Sequence, residues 1–120
     1  MPGPPHVLVV EDDPEFLDLI FDVLEADGYR VSRARSTGEA LERAARARPD
    51  VILVDVAWGT SAADGVRQEF RERGLGDIPL LVVSADGSPQ RAARAGAEAF
   101  LAKPFDIQAL LAEVASMTSR

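Results

Sequence analysis

Strand-like and helix-like segments alternate along this 120-residue chain, which predicts an α/β fold: a three-layer sandwich with a five-stranded parallel sheet between two layers of helices. Two observations carry the prediction. Val7-Leu8-Val9-Val10, Val51-Ile52-Leu53-Val54 and Leu80-Leu81-Val82-Val83 are apolar at every position, as in strands covered on both faces. Between them the apolar residues recur at helical spacing, so each strand feeds a crossover helix and right-handed βα units follow.

Taken in order, residues 1–6 are rich in Pro and Gly and read as a flexible lead-in; they lack the basic and apolar regions of a signal peptide. After the first strand comes Glu11-Asp12-Asp13, and Pro14 suits the first helical turn. Leu17, Ile20, Phe21 and Leu24 then keep helical spacing until Asp27-Gly28 stops the helix. Tyr29 to Ala34 alternates apolar residues with Arg or Ser, the pattern of a half-exposed edge strand. Ser36-Thr37-Gly38-Glu39 matches a capping box, and Ala40, Leu41, Ala44 and Ala45 form a small-residue face for a second helix ending before Pro49. The third strand, Val51 to Val54, ends in Asp55. A long connection, Val56 to Asp64, leads to a weaker helix over Gly65 to Arg73 with Val66 and Phe70 as its apolar pair. Leu80 to Val83 is the fourth strand, finishing at Ser84, and Pro89 opens a short fourth helix that ends by Gly96. Ala99 to Ala102 is the fifth strand, ending at Lys103-Pro104; Ile107, Leu110, Leu111 and Val114 form the amphipathic face of a last helix capped by Asp106.

Composition narrows the function. The chain is 47% hydrophobic and 28% charged, with no apolar run that spans a bilayer, so no membrane is expected as a partner. With no Cys and a single His, any metal must be held by oxygen. A net charge of -7 argues against nucleic acid as a partner. Arg30, Arg33, Arg35, Arg43, Arg46 and Arg48 gather locally and are read as a solvated helix face beside a strand edge. The expected compartment is the cytoplasm.

Acids stand at the carboxyl ends of two strands, where an open α/β sheet binds ligands. Asp is also a common turn former, so Asp55 alone carries two readings. Alternation of elements does not fix strand order. Under the flavodoxin-like order 2-1-3-4-5, strands one and three are neighbours and bring Glu11, Asp12 and Asp55 together. Three such carboxylates repel unless a cation is supplied, and Mg²⁺ suits carboxylate and water oxygens with fewer protein ligands than Ca²⁺ needs. Lys103 supplies a point charge for a phosphate, and Ser84 a hydroxyl. Such a set describes transfer of a phosphoryl group onto Asp55.

These blocks resemble the receiver domain of two-component response regulators. The likeness runs from Val7 to Pro14, through Asp55 and Asp64-Gly65, to Ser84-Ala85 and Gly96 to Phe105, with 7–120 as the domain. It implies the 2-1-3-4-5 order and a phosphoacceptor Asp55 charged by a histidine kinase or phosphotransfer protein. It further implies that Asp12 and Asp55 bind Mg²⁺ directly, Glu11 through water, and the Ala57 carbonyl as a further ligand. Lys103 would bridge to the phosphoryl group, Ser84 would move to hydrogen-bond it, and Phe100 would turn inward as Ser84 leaves its place. A cis Lys103-Pro104 bond is expected.

The chain also departs from the family pattern. Gly59 stands where relatives have Pro, Asp64-Gly65 arrives late, and the stretch from Ser84 to Lys103 is short, so the fourth helix must absorb the loss. Trp58 in the altered loop is read either as an aromatic lid or as packing on a helix. Ala57 and Asp86 occupy positions that tune dephosphorylation in relatives. The expected output, with no DNA-binding or enzymatic region after the last helix, is a stand-alone, non-enzymatic receiver. Phosphorylation would change its binding to a downstream protein, with a phosphorylation-dependent dimer as one form of that change. The competing readings are a phosphorelay intermediate or phosphate sink, and a pseudo-receiver that serves as an interaction module. A flavodoxin-type cofactor protein shares the architecture, but acids stand where its phosphate-cradling loop would be.

Overall fold

The structure, a computed structural model, describes residues 3–56, 66–84, 90, 93, 96–102 and 105–118. The strands are β1 (His6–Val10), β2 (Arg30–Ala34), β3 (Val51–Val56), β4 (Leu80–Ser84) and β5 (Ala99–Ala102). The helices of these segments are α1 (Pro14–Ala26), α2 (Thr37–Arg46), α3 (Val66–Glu72) and α4 (Ile107–Thr118). All strand pairs are parallel, in the order β2-β1-β3-β4-β5. The short helix expected between Pro89 and Gly96 falls largely outside the described residues, although Gln90 and Ala93 are helical.

Because strand side chains alternate between faces, each apolar strand feeds two cores. Leu8, Val10, Ile52, Val54, Leu80 and Val82 point to one face and meet Ala40, Leu41 and Ala44 of α2 and Val66 and Phe70 of α3. Val7, Val9, Val51, Leu53, Leu81 and Val83 point to the other and meet Leu17, Ile20 and Leu24 of α1 and Leu110 and Val114 of α4. Central strands apolar at every position are thus what two covered faces demand.

The helix ends follow their local chemistry. Asp13 caps α1 through the Glu15 N–H at 3.1 Å, with Pro14 at the first helical position. At the other end the N–H of Gly28 donates to Glu25 O and that of Tyr29 to Leu24 O, a Schellman closure that requires the positive φ of 95° at Gly28. Ser36 caps α2 by accepting from Glu39 N–H at 3.1 Å, but the Glu39 carboxylate accepts from Arg35 N–H, one residue before the cap, at 2.9 Å.

Several expectations need correction. Residues 1–6 are not all lead-in: His6 opens β1 and is buried, and the Pro5 carbonyl already accepts from Arg30 N–H. Ala45 and Ile107 face solvent, displaced from the contact stripes of their helices. Phe21 lies at the flank of α1, where the Arg33 guanidinium covers its ring at 4.0 Å and also bonds Asp18. All six arginines of the basic segment are exposed, as a solvated face requires.

His6 is held from three directions. Its backbone N–H donates to Asp50 Oδ2 at 2.7 Å, its Nε2 lies 2.6 Å from Ser32 Oγ, and its Nδ1 faces the Arg48 carbonyl at 3.4 Å. A carbonyl only accepts, so these partners assign the ring proton to Nδ1 and make Nε2 the acceptor of the Ser32 hydroxyl. Burial holds the imidazole below its ordinary pKa and the nearby Arg30 adds to that, against the Arg48 carbonyl and Asp50, which favour the cation.

In the unfolded chain His6 takes a proton near its ordinary value of about 6.5 while the folded protein resists it, so lowering the pH favours unfolding. Urea titrations should show stability falling as pH drops from about 7.5 to 5.5, and His6→Gln should flatten that step. Gly28→Ala should cost about 1 kcal/mol, read from the urea midpoint, because a Cβ is strained at that φ.

Candidate functional site

The register of the central strands builds the site. Val10 pairs with Val54, so the next residues along the two strands, Glu11 and Asp55, fall level about 4.8 Å apart. Asp55 is opposite Val83 of β4, and Val56 is opposite Ser84. The carboxyl ends of β1, β3 and β4 therefore open onto one crevice.

Glu11 is almost fully buried at 4% exposure. Its N–H donates to Ala34 O of β2 at 2.9 Å, and its Oε2 accepts from Asp13 N–H at 2.9 Å. One acid thus braces the turn between β1 and α1, leaving Asp12 exposed at the rim. Asp55 is half-buried, and both its Oδ1 and the Oε1 of Glu11 are buried atoms.

Phe100 is half-buried beside the α2–α3 core, opposite Val82. Past β5 the chain is held again at Phe105, whose ring meets Phe16 of α1 edge-on at 6.2 Å and 75°. Lys103, Pro104, Ala57, Trp58, Asp64, Gly65 and Asp86 lie outside the described residues, as does the expected cis bond. Ser84 is placed by its backbone alone.

The crevice offers oxygen donors to a cation. Among the described residues no three carboxylate or imidazole groups form a closed metal cage. Glu11 is committed on one oxygen to the Asp13 amide. What remains at the crevice is carboxylate oxygen from two adjacent strand ends, partly buried, with exposed Asp12 beside it. All-oxygen and anionic, the set fits Mg²⁺, which takes one or two carboxylates and retains water.

Residues 7–115 match the response regulator receiver domain. This chain belongs to that family. It is 38% identical to the transcriptional regulatory protein PrrA of Mycobacterium leprae over 120 residues, 97% of this chain and 51% of PrrA. The chain thus spans about half the length of that relative. It is 32% identical to the polar-differentiation response regulator DivK of Brucella anthropi, covering 94% of this chain and 95% of DivK. Chemotaxis protein CheY4 of Vibrio cholerae superposes with a TM-score of 0.85 at 28% identity, over 96% of this receiver and 99% of CheY4. Receivers are switches in two-component signalling rather than catalysts, and the family binds Mg²⁺ at its phosphorylation site. No helix among the described residues is long and apolar enough to cross a membrane.

Two side chains outside the expected set prove to be structural centres. His6 is one. Arg67 is the other: only 10% of its side chain is exposed, and its guanidinium reaches main-chain carbonyls on the approaches to both β4 and β5. Nothing in the helix pattern around Arg67 marks it as buried, because its partners are far along the chain.

The cap at Asp13 gives a direct check on the loop that carries the acids. Asp13→Ala should lower stability by about 1 kcal/mol in urea titrations by removing the bond to the Glu15 amide.

Proposed function

We propose that this receiver accepts a phosphoryl group on Asp55 from a histidine kinase or phosphotransfer protein, and that the phosphorylated form changes its binding to a downstream protein. The observation that carries this is the β1–β3 register, which sets Glu11 level with Asp55 where the sheet order reverses. Family membership supports it, since receivers work with such donors and targets.

In the transfer, an oxygen of Asp55 attacks the phosphorus of the phosphorylated donor, the P–N bond to the donor imidazole breaks, and the acyl phosphate forms as the imidazole leaves. Asp12 and Asp55 are the residues that would hold Mg²⁺ directly, with Glu11 through water and the Ala57 carbonyl as a further ligand. The ion, when bound, neutralises charge shared between the carboxylates and the phosphoryl oxygens. Lys103 contributes a cation to the same oxygens, and the Ser84 hydroxyl a hydrogen bond. Adding that charge beside Ser84 biases the loops and Phe100 between two arrangements, which is the switch.

Intact-mass spectrometry after incubation with Mg²⁺ and acetyl phosphate should show one phosphoryl group per chain, mapped to Asp55 by peptide analysis. Asp55→Asn should take none, and chelating the Mg²⁺ should abolish labelling. A wild-type chain that stays unlabelled would point instead to a pseudo-receiver. Labelling that persists in Asp55→Asn would move the acceptor elsewhere.

A further inference from the structure

The strand that bears Phe100 is the most weakly specified of the sheet. β5 is four residues long, lies at an edge, and has no fully buried residue. Its sequence, Ala-Phe-Leu-Ala, is nearly symmetric in size. Phe100 faces the α2–α3 core while Ala99 and Leu101 face the α1–α4 core. A slip by one residue would exchange Phe100 with Leu101, apolar for apolar, so burial hardly distinguishes the two registers.

What distinguishes them is a polar lock just before the strand. Glu98 grips Leu80 at both backbone positions: its N–H donates to Leu80 O at 2.9 Å, and its Oε1 accepts from Leu80 N–H at 2.8 Å. The same carboxylate oxygen is bonded by Nη2 of Arg67. Arg67 also donates to Ile78 O at 2.7 Å and to Gly76 O, both on the approach to β4, and to Gly96 O at 3.1 Å on the approach to β5. The turn at Gly96, with φ 79°, presses so closely on this side chain that a Cβ there would lie 2.6 Å from Arg67 Cβ. One guanidinium therefore measures the chain entering β4 against the chain entering β5.

We propose that Arg67 is a positioning residue that fixes the register of β5, and thereby sets Phe100 and the point at which the chain leaves the sheet for Lys103. The register role stands on the contacts alone; its consequence for phosphorylation rests on the reading of Asp55 as phosphoacceptor. Arg67 sits in the first turn of α3, directly after the connection that follows Asp55.

Amide hydrogen exchange by NMR on the full chain tests the lock without any phosphodonor. In Arg67→Met the β5 amides should exchange roughly tenfold faster than in wild type, and the contacts between Leu81 and Ala99 should weaken, while β1 and β3 keep their protection. Unchanged β5 exchange, or a loss spread evenly over every strand, would overturn the proposal. Should Arg67→Met fail to fold, Glu98→Gln, which keeps the shape but removes the charge, should give the same pattern at smaller size; its absence would overturn the proposal equally. In a second arm, Mg²⁺-dependent labelling by acetyl phosphate should be several-fold slower in maximal rate in Arg67→Met at an unchanged donor saturation constant. Equal rates would cut the link between β5 and Asp55. If wild type takes no label, the phosphoacceptor reading fails, and the exchange arm still decides the role of Arg67.

Discussion

A strand covered by helices on both faces can present polar groups only where it ends. In this receiver β1, β3 and β4 are of that kind, and Glu11, Asp55 and Ser84 stand at their carboxyl ends. Parallel pairing then decides the rest, because it gathers those ends at one edge of the sheet instead of distributing them over two. The register Val10 to Val54 is the constraint on which the site depends. A one-residue shift would exchange the side chains that fill the two cores and set Glu11 level with Val54 or Val56, so the fit of both cores is what keeps Glu11 beside Asp55.

The acids near the crevice have different tasks. Glu11 and Asp13 both accept main-chain N–H groups and shape the turn into α1. Asp12, between them, is left exposed. A helix N-terminus tolerates this concentration of negative charge better than most places in a fold, since its own N–H groups point toward it. Structural acids thus hold the exposed one at the rim of the site.

Much of this was legible in the sequence because the controlling interactions are local or repetitive. Unbroken apolar runs marked the central strands, Ser36 with Glu39 marked the start of α2, and Asp27-Gly28 marked the end of α1. Family resemblance supplied the strand order, which alternation alone could not. Hidden were the features whose partners lie far apart in the chain. His6 looked like lead-in because Ser32, Arg48 and Asp50, which bury it, follow it by 26 to 44 residues. Arg67 has no mark in its own weak helix, since Glu98 and the carbonyls it binds belong to other parts of the chain. Ala45 and Ile107 show the remaining difficulty: helical spacing gives a face, but tertiary contact decides how wide that face is.

The edge strand β2 has a consequence for assembly. Its outer side carries backbone groups that could template another strand, yet Arg30 and Arg33 are exposed along it. A second copy docking edge to edge would have to accommodate these long charged side chains, which disfavours continuous sheet growth. The charged edge thus steers any contact on this side away from strand pairing and toward the flanking helices α1 and α2.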